Sequence, residues 1–304
     1  MLAELGLLLS PMFRHSLICT DFSDGLHRLV RFVPSLAASG LQQITFLHTV
    51  AISQDREVPR IDEESLQAIR DRLLASLGDV PAGIKVNIEV QSGKPIDNIL
   101  QVSKSNGVDL IMVGMAGRGL LNEKLFGSTT MALCQRTPLP IMTLRPQLIS
   151  TYTTEELDLR CRHLFQDLLL PYDGSDSADY LVERVQAIAQ QYPEGSLKRG
   201  LLCWVLEEQN RRSLPRDYDK DSALEKLNTV KAELVKLGLD IDVEVREGSP
   251  MNELLEAALE RDITAIAISS SPTNRLVGWS IPSFAEDILR RSWHPVLYFP
   301  PEKR

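Results

Sequence analysis

The chain of 304 residues is 43% hydrophobic and 24% charged, a composition typical of globular proteins, and it is long enough for about two domains of roughly 150 residues. A formal net charge of −8 argues against nucleic acid or an anionic membrane as the main partner, because either would repel the chain unless a basic patch reversed the local field. The four cysteines lie far apart without a CxxC pair, which predicts neither a disulfide framework nor a zinc site and favours the reducing cytoplasm.

The first half of the chain alternates apolar strand patterns with amphipathic helix patterns. The predicted strands, in chain order, are HSLICTD, QITFLHTV, KVNIEV, DLIMV and PIMTL. The helix after the first strand contains Pro34, which should kink or delay it. Residues 62–77 open on acidic residues and place four apolar side chains on one helical face. This alternation predicts a five-stranded parallel sheet with helices on both faces.

An internal repeat at an offset of 155 residues sets the domain organisation. VQSGKPIDNIL aligns with VREGSPMNELL, so that Gly93 corresponds to Gly248 and Pro95 to Pro250. Near the start of each half the offset is 152, which aligns TDFSD with YDGSD. We therefore expect two tandem α/β domains at residues 1–146 and 166–304, joined by a polar linker at 147–165 that contains about one helical turn.

A glycine-rich loop follows the fourth predicted strand. Three of its glycines, two hydroxyls and two basic side chains are spaced so that they could contact an anion: Gly114, Gly117, Gly127, Ser128, Thr129, Arg118 and Lys124. The carboxyl edge of a parallel sheet is where such folds bind ligands, and glycine lets backbone N–H groups approach an anion closely. The hydroxyls lie at the positive end of a helix dipole, which suits phosphate oxygens. The alternative is a flexible strand-to-helix loop capped by the serine.

Two further strand ends open onto the same edge. Thr20 and Asp21 end the first strand, where the carboxylate can accept hydrogen bonds from a ribose or a base; the alternative is that Asp21 caps the next helix. Thr49 and Val50 end the second strand and can border the same crevice, unless they are ordinary core residues. The five histidines are scattered without a metal-ligand spacing, so no metal site is predicted.

The spacing G-x2-G-x9-G-[ST] of the loop, together with TDFSD, FLHTV and TPLPIMTLRP, resembles the universal stress protein family. The match covers both halves, so the chain is similar to a tandem member with a Rossmann-like fold of the adenine nucleotide alpha hydrolase type. The resemblance implies an ATP-binding first domain, with or without Mg²⁺, in a stress-response or regulatory protein. The implied binding residues are Thr20, Asp21, Thr49, Val113, Gly114, Gly117, Arg118, Gly127, Ser128 and Thr129. Ala116 departs from the family pattern, in which many members carry histidine.

The second half has lost the features that hold a polyphosphate. The offset of 155 places Pro272 and Pro282 where the first half has Gly117 and Gly127, and each proline removes an N–H donor. We expect no triphosphate there and assign this degenerate domain a structural or regulatory role. The stretch DGSDSAD also partly resembles the pyrophosphate loop of adenylating enzymes, although the repeat already accounts for it.

Catalysis and assembly are the remaining predictions. No general base or metal carboxylate stands out beside the glycine loop, so we expect a binding protein with at most weak ATPase activity. The alternative is an ATP-hydrolysing or adenylating enzyme of the same nucleotide-binding superfamily. The apolar strands PIMTL and PVLYF predict that the two halves pair through their last strands, and a homodimer and a downstream protein partner are further expectations.

Overall fold

The computed structural model describes residues 12–22, 25–50, 63–115, 128–191, 196–207, 219–270 and 284–301. The chain divides into two units, and each alternates strands with helices. The first unit comprises Phe13–Arg162, and the second comprises Met12 and His163–Arg304. This architecture confirms the tandem α/β fold that the repeat and the strand–helix alternation predict.

The first unit contains a parallel sheet. Its described strands are β1 (His15–Thr20), β2 (Gln43–Val50), β3 (Lys85–Ser92), β4 (Leu110–Gly114) and β5 (Ile141–Leu144). They lie in the order β3-β2-β1-β4-β5, and every neighbouring pair is parallel. Consecutive residues of β1, β4 and β5 are buried, because apolar runs in parallel sheets are covered on both faces. The edge strand β3 alternates instead between exposed and half-buried residues over its first four positions, and Val90 is its buried residue.

Helices connect these strands. They are a 3-10 helix (Leu26–Phe32), α1 (Val33–Ala38), α2 (Glu63–Ser76), α3 (Pro95–Ser105), α4 (Ser128–Arg136), α5 (Pro146–Thr151) and α6 (Thr154–Arg162). Pro34 lies in the first turn of α1, where its missing N–H is tolerated, so the chain forms a 3-10 helix before the α-helix begins. This confirms that Pro34 delays the helix.

The segment predicted as a linker with one helical turn contains α5 and α6. Their apolar side chains Ile149, Leu157 and Cys161 are buried, and α6 packs against α1. The guanidinium of Arg28 donates to the carbonyl oxygen of Tyr152 at 3.0 Å. The small number of apolar residues in this stretch led us to expect less helix than the structure has, because their burial depends on the 3-10 helix and α1. The exact domain boundaries stay a prediction.

The second unit repeats the same order of elements. Its described strands are β6 (Asp167–Pro171), β7 (Arg199–Leu206), β8 (Asp240–Glu247), β9 (Ala265–Ser269) and β10 (Val296–Phe299). Its described helices are α7 (Asp176–Gln191), α8 (Lys220–Val235), α9 (Pro250–Glu260) and α10 (Phe284–Arg291). The strand order is β10-β9-β6-β7-β8, again parallel throughout.

The turns that follow β3 and β8 show the repeat at the level of the backbone. Gly93 and Gly248 adopt φ of 134° and 146°, a region that L side chains rarely enter. In both units a helix then begins two residues later, at Pro95 and Pro250. Proline suits the first turn of a helix because its ring presets φ and its missing N–H would be unpaired there.

The four cysteines are free thiols, and they lie inside the two units. Cys134, Cys161 and Cys203 are buried, and burial raises the pKa of each to about 12. Cys19 is half-buried in β1. Three of the four cysteines are therefore packing residues of the core. Within the described residues, no helix has the length and apolar character needed to cross a bilayer.

Candidate functional site

The sheet of the first unit has a topological switch point between β1 and β4. From β1 the chain continues to β2 and β3 on one side, whereas β4 and β5 lie on the other side. Connections leaving two adjacent strands in opposite directions open a crevice at the carboxyl edge, which is where open α/β sheets bind ligands. Asp21 follows β1 and is exposed, and Gly114 ends β4 and is half-buried.

A hydroxyl–imidazole pair lies at the end of β1. Thr20 and His48 are paired in the β1–β2 register, and both side chains are buried. Thr20 Oγ1 and His48 Nδ1 are 3.3 Å apart, so the threonine is held from the β2 side of the strand. The next residue, Asp21, is exposed at the carboxyl edge of the sheet.

An amide anchors the end of β2. Thr49 Oγ1 accepts a hydrogen bond from Asn98 Nδ2 at 3.4 Å, and the same nitrogen donates to the carbonyl oxygen of Ser92 at 3.3 Å. Asn98 lies in the first turn of α3 and is buried. It therefore connects the ends of β2 and β3 and holds the half-buried Thr49 in place.

The end of β4 and the start of α4 form the other side of the crevice. Val113 and Met115 are buried, so the half-buried Gly114 between them is the residue that opens toward the edge. Helix α4 begins at Ser128, and the side chain of Thr129 in its first turn is half-buried. The first N–H groups of a helix have no intrahelical acceptor and favour an anion.

An aromatic–cationic cluster lies beside Asp21. Phe22 adopts φ of 61°, an uncommon conformation for a bulky residue. Its ring centroid is 4.7 Å from that of His48 and 5.2 Å from that of His27, and the guanidinium of Arg72 lies 4.0 Å from it. These contacts offset the strained backbone, since Arg over an aromatic face and stacked rings are both attractive. The cluster joins β1, β2 and α2 behind Asp21.

The histidines of this cluster are neutral near pH 7. Burial is the main cause that lowers the pKa of His48 and of His27, and the positive charge of Arg72 lowers both further. The carboxylate of Asp21 acts in the opposite direction on both rings. The positive charges that act on these rings in the described part of the cluster are those of Arg72 and, at His27, also Arg28.

The model of the universal stress protein family matches residues 12–145 and 164–300. The chain belongs to the universal stress protein family. Two copies of the family domain in tandem account for the repeat at an offset of 155 residues, and they confirm the resemblance seen in the glycine spacing. In the described parts of both copies, no group of three or more His, Cys, Asp or Glu side chains could hold a metal ion.

Relatives and solved structures of the family align with one or both copies. The chain is 27% identical over 129 residues to the universal stress protein Slr1230 of Synechocystis sp., covering 42% of each chain, so it spans less than half of that relative. It is 22% identical over 161 residues to MJ0577 of Methanocaldococcus jannaschii, covering 45% of this chain and 98% of that protein. A universal stress protein from Archaeoglobus fulgidus has the same fold, with a TM-score of 0.65 at 18% identity over 93% of this chain and 97% of that one.

The predicted site residues fall into two groups in this universal stress protein. Thr20, Asp21, Thr49, Val113, Gly114, Ser128 and Thr129 lie at strand ends or at the start of α4, all at the carboxyl edge of the first sheet. Gly117, Arg118 and Gly127 lie outside the described residues. The role of every one of these residues in binding stays a prediction.

Sequence reasoning missed four residues that support the edge: Phe22, His48, Arg72 and Asn98. Each acts through a contact between elements distant in sequence, such as the 49 residues that separate Asn98 from Thr49. The sequence offered one clue, which was the position of two of them: Phe22 directly follows the predicted site residue Asp21, and His48 directly precedes Thr49. His48 is a buried core histidine whose ring is hydrogen-bonded to Thr20.

The lowered pKa of His48 predicts a pH-dependent stability. A histidine whose pKa is lower in the folded state than its unfolded value of about 6.5 binds fewer protons when folded, so stability falls as pH drops below that value. The fall from pH 7.5 to 5.5 should therefore be smaller in His48→Asn than in the wild type. Urea unfolding midpoints at the two pH values measure this, and an equal fall in both proteins would contradict it.

Proposed function

We propose that this protein binds ATP at the carboxyl edge of its first sheet and serves as a nucleotide-dependent stress-response or regulatory protein. The observation that carries the proposal is the convergence of Asp21, Gly114 and the start of α4 around one topological switch point. Asp21 supplies a hydrogen-bond acceptor, Gly114 a backbone without a side chain, and α4 a helix N-terminus. These are the groups that bind the ribose and phosphates of an adenine nucleotide.

The end of the crevice near β1 and β2 suits the adenosine part of the ligand. Asp21 is exposed beside the switch point and can accept hydrogen bonds from ribose hydroxyls or from the base. Thr49 and Val50 are half-buried and can pack against a flat ring. Asn98 and His48 would act indirectly, because they hold Thr49 and Thr20 rather than reaching the edge themselves.

The end near β4 and α4 suits the phosphates. Gly114 has no Cβ, so a phosphate oxygen can approach its backbone closely. The hydroxyl of Thr129 and the first N–H groups of α4 can donate to the same oxygens. We assign Gly117, Arg118, Gly127 and Ser128 to this end from the sequence spacing, and a Mg²⁺ ion would enter there with the nucleotide.

The finer parts of the proposal concern the cell and the partners. We infer a cytoplasmic protein whose downstream partner is another protein, and whose two domains pair through their last strands, as the apolar runs PIMTL and PVLYF suggest. A homodimer of two chains is a further proposal, because an exposed strand edge of one chain can pair with that of another. The protein would signal through the fraction of its first domains that have ATP bound, and it would hydrolyse ATP weakly or not at all.

Asp21→Ala should weaken ATP binding by about 10- to 100-fold, because a hydrogen bond to a charged group contributes about 1.5–3 kcal/mol. ATP at about 100 times its dissociation constant should stabilise the wild type by about 2.7 kcal/mol, which a thermal shift assay detects. AMP and cyclic AMP in the same assay report how much the β- and γ-phosphates contribute. Phosphate release, recorded in parallel, separates a binding protein from a hydrolase.

The matched control for this experiment is Asp79→Ala. Asp79 is exposed on the connection from α2 into β3, at the amino end of the sheet and away from the proposed site. This variant should keep the wild-type thermal shift. A wild-type protein whose melting temperature ignores millimolar ATP would overturn the proposal, and steady phosphate release that Gly127→Pro abolishes would favour the enzyme instead.

A further inference from the structure

The second unit contains a cavity of about 270 Å³ at the carboxyl edge of its own sheet. The cavity lies between the ends of β6 and β9, which form the switch point of this sheet as β1 and β4 do in the first unit. Its volume is just below the range of about 300–1,000 Å³ typical of pockets for drug-sized ligands. The occupant that fits it is therefore small.

The cavity lining corresponds to the predicted ATP site of the first unit. Strand pairing aligns Tyr172–Asp173 with Thr20–Asp21, Val205 with Thr49, Ile268 with Val113, and Ser269 with Gly114. All of these second-unit residues line the cavity. The crevice has thus been kept in the second unit while its side chains have changed.

The walls of the cavity suit a flat apolar ring. Val205, Leu254 and Ile268 come from β7, α9 and β9 and face a common space. Cys203 lies beside them as an uncharged thiol, because burial raises its pKa to about 12. The surface that these residues present is apolar, and its stabilising effect on a ligand would come from burial of the ring.

The rim of the cavity is acidic rather than basic. Asp173 and Glu207 are exposed carboxylates that line it. Asp173 Oδ1 accepts a hydrogen bond from the N–H of Ser175 at 3.0 Å, which fixes the orientation of the carboxylate at the end of β6. A carboxylate in this position accepts hydrogen bonds from ligand hydroxyls and repels a phosphate.

The end of the cavity near α10 differs from the first unit at two positions. Phe284 begins α10 and lines the cavity, and the offset of 155 aligns it with Thr129 of the first unit (284 − 129 = 155). The hydroxyl of Ser269, at the position of Gly114, donates to the carbonyl oxygen of Ser177 at 2.6 Å. An aromatic ring and an engaged hydroxyl therefore occupy the positions that Thr129 and Gly114 have in the first unit, and neither offers a free donor to a phosphate.

We propose that the second unit binds a phosphate-free ligand of nucleoside size, with its ring between Val205 and Ile268 and its hydroxyls at Asp173, and that it rejects ligands carrying a phosphate. A flat ring joined to a hydroxylated sugar matches an apolar slot with a carboxylate at its rim. This site is separate from the proposed ATP site and does not depend on it. The two units would then respond to different ligands.

The tryptophans provide a reporter for this cavity. All three, Trp204, Trp279 and Trp293, lie in the second half of the chain. The ring of Trp204 packs edge-on against that of Tyr172 with centroids 5.6 Å apart, and Tyr172 lines the cavity. A ligand that displaces or contacts Tyr172 should therefore change the tryptophan fluorescence.

The experiment titrates the full-length protein with adenosine, AMP and ATP while tryptophan fluorescence is recorded. Adenosine should give a saturable change, and AMP and ATP should need concentrations at least about tenfold higher, which is about 1.4 kcal/mol of discrimination. Val205→Phe fills the cavity and should abolish the adenosine response. The matched variant Thr49→Phe places the same ring at the equivalent position of the first unit, and it should leave the adenosine response unchanged.

A second variant guards against a folding defect in Val205→Phe. Phe284 is 42% exposed, so Phe284→Thr should fold normally while restoring the hydroxyl found in the first unit. In Phe284→Thr, the ratio of the dissociation constant for AMP to that for adenosine should be about tenfold smaller than in the wild type. The inference is overturned if adenosine causes no fluorescence change at millimolar concentration, if AMP binds as well as adenosine, or if Thr49→Phe rather than Val205→Phe removes the response.

Discussion

Replacing Phe46 with alanine should destabilise the first unit by about 3–5 kcal/mol, the usual loss when a fully buried aromatic side chain is truncated in a core. Phe46 lies in the middle of β2 with no exposed surface, paired with Ile18 of β1 and Ile88 of β3. Removing its ring leaves a cavity that the surrounding strands cannot close, because both neighbours are held in register by the sheet.

Urea unfolding followed by far-ultraviolet circular dichroism measures this effect as a lower urea midpoint for the unfolding of the first unit. The control is Leu74→Ala on α2 of the same unit, because that side chain is 48% exposed and its loss should change stability by less than about 0.5 kcal/mol. Equal midpoints for the two variants would show that Phe46 is not part of the core. ATP should raise the midpoint of the Phe46 variant if the first unit binds it, since a ligand specific to the folded state stabilises that state.

The fold could be predicted because the repeat and the strand patterns are independent signals with the same result. Gly93 and Gly248 occupy equivalent turns with positive φ, and Pro95 and Pro250 begin the following helices, as their alignment at an offset of 155 requires. The order of strands within each sheet was not among the predictions, because crossover rules narrow the possible topologies without selecting one. Right-handed crossovers between parallel strands leave few alternatives, and helices between the strands are what such crossovers need.

The candidate site could be predicted only in part. Asp21, Thr49 and Gly114 were expected at one edge because the carboxyl ends of parallel strands lie together. Contacts between side chains gave no such signal: whether Phe22 meets Arg72 depends on the backbone at Phe22 and on the position of α2. Such contacts are decided by packing between distant elements, which no local pattern in a single sequence records.

The cavity in the second unit shows the same limit. The prolines at positions 272 and 282 predicted that a polyphosphate would not bind there, and this depends only on local backbone chemistry. They could not indicate whether the crevice was filled or open. That outcome depends on the side chains of Tyr172, Phe284 and Val205 and on where α9 lies, and these are properties of the folded unit.

Arg246→Met should destabilise the second unit by about 2–4 kcal/mol, somewhat less than the 3–5 kcal/mol for breaking a fully buried ion pair. The Arg246 side chain is 12% exposed and contacts three carboxylates: Glu244 at 2.6 Å, Glu253 at 3.6 Å, and Glu260. Although burial acts to lower it, the hydrogen bonds that the guanidinium donates to Glu260 and Glu244 raise its pKa above its ordinary value. Glu260 is 54% exposed, so water screens part of the loss.

Methionine keeps much of the volume of arginine, so the effect of this substitution is mainly the loss of charge. It leaves Glu253 and Glu260 without the cation they share, while Glu244 keeps its ion pair with Arg261 at 3.1 Å. Added salt should therefore recover part of the stability, because it screens the repulsion among them. The control is Arg136→Met, which removes a pair with Asp97 that is 51% and 55% exposed and should change the urea midpoint little.

Arg246 also joins β8 to α9, whose Pro250 and Leu254 line the cavity. If that ion-pair network positions α9, Arg246→Met should weaken the adenosine response as well, and an unchanged response in a destabilised variant would show that the cavity wall is held by apolar packing alone.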